Sequence, residues 1–375
     1  MYSVDVARSI GEVGAGEWDA LADGVPFVRH RWLVLAERVL AAHRPRYLLV
    51  RKDGGLVAAA VCALEHRLHN PVLESRFGRL TRRWPFLQVQ APMTATSGLL
   101  GGEGPQRRVL LRAVRSLVRR ERLLFCVVDH LPYAAGQPGY SRLGWLPETL
   151  LDLTWPSYEA YLDHLPRKRR AEIRRTQRRA AREGIEVRPL AAGPGGEPGG
   201  GLGGELGRLL DRMVAAVDLR HGPHVFYRPG LFPEAAGALG ADLTVLAAHR
   251  HGAPAGCVAL LRDGDELVAR WIGRDYARTE GTAVYHALLA ACVRAAVGSG
   301  ARRLRLGGAA CVRAAVGSGA RRLRLGGAAY ETKKQFGVRL EPRSRLFAAR
   351  SATVTRLVGG LGHRLDPPQL PPSST

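Results

Sequence analysis

Lysine is almost missing from this 375-residue chain. Only Lys52, Lys168, Lys333 and Lys334 are present, although lysine and arginine together number 56. Cysteine is also sparse. Cys62, Cys126, Cys257, Cys292 and Cys311 make no Cys-x-x-Cys pair. An odd, scattered set excludes a disulfide framework, and buried reduced thiols are expected. His249 and His251 are too few for a ligand cluster, so no metal is expected. Long apolar runs are missing too. The longest, Leu56 to Leu64, is nine residues, against the ~20 that a helical membrane span requires. The opening Met1-Tyr2-Ser3-Val4-Asp5 has no basic region followed by an apolar stretch. No secretory signal and a cytoplasmic location are expected.

Apolar residues nonetheless make up 46% of the chain, enough for a large core and too many for a disordered or collagenous chain. At roughly 100–200 residues per domain, the length implies two domains or one duplicated unit. With 33 acidic residues the net charge is +23. Two readings stand side by side. One is a solvated, arginine-rich surface. The other is attraction to a polyanion such as RNA, anionic lipid or a phosphorylated cofactor.

Residues 292–310, CVRAAVGSGARRLRLGGAA, recur letter for letter at 311–329. One perfect recurrence is not a solenoid; it has the form of a tandem duplication. Each copy encodes a helix end, a Gly-Ser-Gly stop and a short strand, Leu304-Arg305-Leu306 or Leu323-Arg324-Leu325. One strand position cannot hold both, so the extra copy is expected to be looped out or strained.

Strands are expected at Tyr47–Val50 and Leu56–Leu64, joined by Asp53-Gly54-Gly55, a strong hairpin signal. Helices are expected at Trp18–Leu21 and Trp32–Ala42, and residues 68–104 read as irregular. Val109, Leu110, Ala113, Val114, Leu117 and Val118 share one helical face. Strands follow at Phe125–Val128 and Thr149–Trp155. The second half repeats the rhythm. Ser157–Gly184 is mostly helical, Ile185–Leu190 is a strand, and residues 193–204, with eight glycines, form a loop or linker. A helix is marked by Leu206 to Val217. Leu243–Ala248, Cys257–Leu261 and Leu267–Ile272 make three antiparallel strands. A helix over Thr282–Val297, the Leu-Arg-Leu strand and a last strand, Val338–Ala348, complete the series. The tail 366–375 is expected to be disordered. YLLVRKDGGLVAAAVCALE in the first half resembles TVLAAHRHGAPAGCVALLR in the second. The expected fold is therefore α/β (α+β), with two related halves, 1–150 and 151–365, each a mixed, mainly antiparallel sheet flanked by helices.

The segment with most chemical content follows strand Leu267–Ile272. Gly273 is followed by Arg278-Thr279-Glu280-Gly281-Thr282-Ala283, which opens a helix. Small residues there let backbone N–H groups approach a pyrophosphate, and the helix N-terminus favours an anion. An ordinary helix start capped by Thr279 or Thr282 reads equally well. Asp275, Glu280 and His286 lie nearby as possible bases for a substrate amine; Tyr285 and His286 alternatively just pack. Lys333 and Lys334 are suggestive in a chain that has nearly abandoned lysine. Nine of the sixteen residues from Arg167 to Arg182 are basic, a segment that fits tRNA or anionic lipid, or serves only solubility.

Arg278, Gly281 and Ala283 fit the Arg/Gln-x-x-Gly-x-Gly/Ala cofactor loop, and here the sequence resembles the GNAT acyltransferase superfamily. Trp18-Asp19, Pro26-Phe27, the basic helix after Leu165 and the closing Lys333, Phe336 and Gly337 resemble its FemAB-like branch. That resemblance implies two GNAT-like halves, the second carrying the donor site. It implies an N-acyltransferase moving an acyl group, acetyl for preference, from acyl-CoA to an amine of a small molecule or cell-wall precursor. Arg278, Gly281, Thr282 and Ala283 would bind the donor. Backbone N–H groups at Trp271, Ile272 and Gly273 would polarise its carbonyl. Lys333 would balance a phosphate or oxyanion, or form only a solvated pair with Lys334; Tyr330 would protonate a leaving thiolate, or simply pack as an amphipathic ring. The alternatives are a Fem-type aminoacyltransferase using aminoacyl-tRNA, and a non-catalytic polyanion-binding protein.

Overall fold

The computed structural model describes residues 1–375 except 26, 69–70, 103, 132–135, 191–201, 222–226, 307–332 and 363–375. Tyr330, Cys311, the second repeat copy 311–329, most of the glycine-rich loop 193–204 and the tail 366–375 lie outside the described residues. The chain forms two units. One comprises Met1–Glu37, Ala42–Pro147 and Pro342–Thr375; the other comprises Arg38–Ala41 and Glu148–Glu341.

The chain begins with β1 (Tyr2–Ala7), α1 (Ala15–Leu21), α2 (His30–Val39), β2 (Pro45–Lys52) and β3 (Gly55–Glu65). It continues through α3 (Pro71–Arg83), β4 (Phe86–Val89), β5 (Leu99–Gly101), α4 (Pro105–Arg120), β6 (Phe125–Leu131) and β7 (Ser141–Asp152). Then come α5 (Tyr158–His164), α6 (Arg167–Arg182), β8 (Ile185–Leu190), α7 (Glu205–His221), α8 (Leu231–Leu239), β9 (Leu243–Arg250), β10 (Ala253–Asp263) and β11 (Glu266–Arg274). The last elements are α9 (Tyr276–Thr279), α10 (Val284–Val297), β12 (Arg303–Leu306), β13 (Arg339–Ala349) and α11 (Ala352–Gly360).

In the first unit the strands run β1-β2-β3-β4-β6-β13, with β5 against β3. Every pairing is antiparallel except β4 with β6. In the second the order is β7-β12-β11-β10-β9-β8, again antiparallel except β11 with β12. The two sheets match strand for strand, and α4 stands to β6 as α10 stands to β12. Strands β7 and β13 each carry the chain from one unit to the other. The halves are thus mixed, mainly antiparallel sheets flanked by helices.

The hairpins repeat in detail. β2 turns into β3 through Asp53 and Gly54, at φ 50° and 88°. β9 turns into β10 through His251 and Gly252, at φ 50° and 80°. Two consecutive positive φ values suit the twist of the flanking strands, and the glycine meets one of them without strain. Each sheet is covered on one face by its amphipathic helix. Leu110, Val114 and Leu117 of α4 are buried in the first core with Leu48, Ala60 and Val128. Leu288, Leu289 and Val293 of α10 are buried in the second with Leu246, Val258 and Leu304. Each such side chain contributes roughly 1.5–3 kcal/mol of transfer free energy.

The first repeat copy fills the strand position. Leu304 and Leu306 of β12 are buried, and Arg305 is ion-paired to Glu148, Glu266 and Glu341. Burial works against the Arg305 charge, yet the three carboxylates raise its affinity for the proton.

Residues 68–104, expected to be irregular, contain α3, β4 and β5. Phe77, Leu80 and Trp84 stay about half exposed, so among the described side chains no buried apolar stripe marks α3. The strand expected at Thr149–Trp155 instead spans Ser141–Asp152. Strand β1 and helices α8 and α11 were not foreseen. β1 is an edge strand whose centre, Ser3 to Asp5, is exposed.

Candidate functional site

The site is built from β11, the turn after it, and helices α7, α8 and α10, all in the second unit. Cys257 pairs with Gly273 and Ala259 with Arg270. Trp271 and Ile272 therefore stand opposite Val258 alone. This is a β-bulge, and Trp271 takes φ 51° there. A bulge breaks the ladder locally and turns backbone polar groups out of it. The Trp271 indole is buried and donates to the Tyr227 hydroxyl at 3.0 Å. Its ring meets Tyr227 and Phe232 edge-on, at centroid distances of 6.2 and 6.0 Å. The residue next to the bulge has to be glycine. A Cβ on Gly273 would lie 2.7 Å from Cys257 Sγ and 2.9 Å from Met213 Cβ on α7.

Tyr227 also lines a cleft of about 640 Å³ between α7 and α8, within the size range of small-molecule sites. Val214, Leu219 and Leu231 give it an apolar wall, and Asp211 and Asp218 bring carboxylates to it. Asp211 accepts from Gly230 N at 2.9 Å and Phe232 N at 3.1 Å, which ties α7 to the start of α8. Burial raises its pKa against the pull of those donors. Sequence reasoning missed Tyr227, Asp211 and Asp218; their relation to Trp271 is tertiary and leaves no local pattern.

The turn from Arg278 to Ala283 is exposed at its tip but crowded. Asp275 caps α9 through Arg278 N and pairs with Arg278 Nε at 3.3 Å. Glu280 is exposed and pairs with Arg220 at 3.0 Å. Arg250 donates to the Arg278 carbonyl at 2.7 Å, Arg274 to that of Thr279 at 2.7 Å, and Arg179 to that of Gly281 at 2.5 Å. Gly281 has φ 71°. Thr282 donates through Oγ1 to Thr279 O at 2.8 Å and so braces the turn. The Ala283 N–H, at the start of α10, donates to Glu183 Oε2 at 2.8 Å. Burial works to raise the Glu183 pKa, but that N–H and Arg179 hold it below the usual carboxylate value. A protein carboxylate therefore stands where the anion-binding argument would put a phosphate.

Arg179 and Arg250 bring positive charge to that carboxylate, and two further arginines flank Tyr276. Arg220 and Arg274 lie over the Tyr276 ring at 4.3 and 5.1 Å. Burial, with Arg220 nearby, lowers the Arg274 pKa. His286, on the first turn of α10, is half-buried, and burial followed by Arg179 lowers its pKa. Lys333 is buried, at 1% exposed. In α6, four of the basic side chains have carboxylate mates: Arg170 with Asp163, Arg174 with Glu159, Arg175 with Glu172 and Arg179 with Glu183. Among the described residues no group of three or more His, Cys, Asp or Glu is placed to hold a metal ion. No described helix is long and apolar enough to cross a membrane.

A FemAB-like family, described by peptidoglycan biosynthesis/recognition, matches residues 9–298. Comparison with curated protein sequences gives no match. Among solved structures, FemX aligns at TM-score 0.58 with 11% identity, over 95% of this chain and 100% of that one. L-PGS from Bacillus licheniformis aligns at 0.51 with 12% identity, over 94% and 97%. A tandem GNAT protein from the clavulanic acid biosynthesis pathway aligns at 0.50 with 14% identity, over 93% and 99%. At these identities the structures establish the fold, while the family match covers most of the chain. The chain belongs to the FemAB-like family, and it shares the fold of two GNAT-like halves with those structures.

Proposed function

We propose that the second half transfers an acyl group from an activated donor to an amine held in the α7/α8 cleft. The bulge at Trp271–Ile272, held by Tyr227 at the edge of that cleft, carries the reading. The amine nitrogen attacks the donor carbonyl. A backbone N–H turned out at the bulge takes the developing oxyanion. The C–N bond forms, the bond to the leaving group breaks, and the amine proton passes through water to Asp218. Asp211 is tied up by the α8 backbone and acts as a brace rather than a base.

Acyl-CoA is the preferred donor, with the acetyl thioester as the test case. Its phosphates would meet the guanidinium groups of Arg250, Arg274 and Arg278 together with the turn. Ala283 N–H would become available only when Glu183 is displaced. A second reading, transfer from aminoacyl-tRNA to a cell-wall or lipid amine, is favoured by that closed N-terminus and by the basic side chains of α6.

The two are separated by thermal shift with acetyl-CoA and with aminoacyl-tRNA, followed by mass spectrometry of an amine panel. Stabilisation by acetyl-CoA and an acetylated product support the first. Stabilisation by tRNA alone supports the second. Neither effect, with product absent throughout, overturns both. Tyr227→Phe removes the acceptor of the Trp271 indole N–H and is expected to lower turnover about tenfold, with the fold retained.

A further inference from the structure

From Glu74 to Trp84, helix α3 shows its large apolar side chains to the outside. It buries Gly78 and Thr81 and leaves Phe77 50%, Leu80 44% and Trp84 48% exposed. A surface helix ordinarily does the reverse. Trp84 continues the helical path, since its N–H donates to the Leu80 carbonyl at 2.9 Å. At about 100° per residue, the three apolar side chains fall within an arc of roughly 60°. Arginines occupy the adjoining face. Arg76, Arg79, Arg82 and Arg83 are all exposed. Arg82 pairs with Glu74 at 2.7 Å, and Arg83 lies over the Trp84 ring at 5.7 Å. Neither Arg76 nor Arg79 has a carboxylate partner among the described residues.

The geometry points to α3 as a membrane-surface anchor, lying in the headgroup layer of an anionic bilayer. Phe77, Leu80 and Trp84 would enter the acyl boundary, and Arg76 and Arg79 would meet lipid phosphates. Charge complementarity selects this occupant. A stripe of one aromatic, one aliphatic and one indole side chain beside unpaired arginines is the composition that interfacial helices use. Each arginine near an anionic leaflet adds about 1 kcal/mol. A protein partner for so basic a rim would need matching acids, which the lipid surface supplies without them. The inference does not depend on which acyl donor is used.

The test is co-sedimentation of the full chain with vesicles of phosphatidylglycerol and phosphatidylcholine, beside vesicles of phosphatidylcholine alone. The expected result is binding to the anionic vesicles only, lost about tenfold or more in Phe77→Ser/Leu80→Ser/Trp84→Ser. Arg76→Glu/Arg79→Glu should weaken it severalfold. The replaced side chains are exposed, so an unchanged melting temperature is expected. Quenching of tryptophan fluorescence by brominated lipid provides a second reading that needs only the conservative Trp84→Phe. Loss of most of the quenching in that variant supports the anchor. Quenching unaffected by Trp84→Phe, or vesicle binding unaffected by the triple substitution, overturns it and assigns binding to diffuse charge. Dimerisation abolished by the triple substitution, with no vesicle binding by the parent, also overturns it and makes the stripe a contact between copies.

Discussion

At the residue scale, two positions show how little freedom the core leaves. Gly273 is hemmed in on both sides, so Gly273→Ala overpacks the junction of β11 with α7. A loss of about 1–3 kcal/mol is expected, read as a lower melting temperature. His43 is a pH-dependent weak point of the first unit. Its Nε2 is buried without a hydrogen-bond partner. Burial pulls the imidazole down to about 4, against the opposing pull of Glu37. The unfolded side chain titrates near 6.5. Between those values a proton binds the unfolded chain and not the native one. The contribution is therefore complete above about pH 6.5 and is lost as the pH falls toward 4. At pH 5 the loss is on the order of 2 kcal/mol. Denaturant melts at pH 7 and pH 5 measure it, and His43→Gln should flatten the difference.

At the scale of single elements, β12 depends on one charge. Removing Arg305 leaves Glu148, Glu266 and Glu341 facing one another with little water. Arg305→Leu is expected to cost about 3–5 kcal/mol, seen as a drop in denaturation midpoint. The start of α10 offers a sharper question. If a phosphate competes with Glu183 for the Ala283 N–H, Glu183→Gln should tighten coenzyme A about fivefold, near 1 kcal/mol. Calorimetry showing equal affinity would remove that N–H from donor binding. The hairpins were readable because Asp-Gly-Gly and His-Gly impose a backbone that few other pairs adopt. Helix α10 was readable from its apolar positions. α3 was not, because Phe77, Leu80 and Trp84 face outward. The Arg278–Ala283 turn was legible as a motif, yet its occupant, Glu183, lies 100 residues away in sequence. No local pattern encodes that meeting, nor the one between Trp271 and Tyr227.

At the scale of the whole molecule, the exact repeat is a natural experiment in tolerance. β12 belongs to the first copy and is fully paired between β11 and β7. Deleting residues 311–329 leaves 375 − 19 = 356 residues and keeps that strand and Arg305. The shortened chain should melt at the same temperature or higher; a clear fall would mean that the second copy is structural. The doubled α/β plan was visible in the two similar hairpins. The exchange of β7 and β13 was not, because strand partners far apart in sequence share no periodicity.

That exchange governs how the protein can be dissected. A fragment ending at residue 147 retains β6 but not residues 342–349, which border it. Its open flank would pair with other molecules, so such a piece should aggregate, and light scattering would show it. Co-expression with a peptide spanning those residues should restore solubility. One cut cannot separate the halves: residues 1–147 would have to be re-equipped with a strand that the end of the chain now encodes.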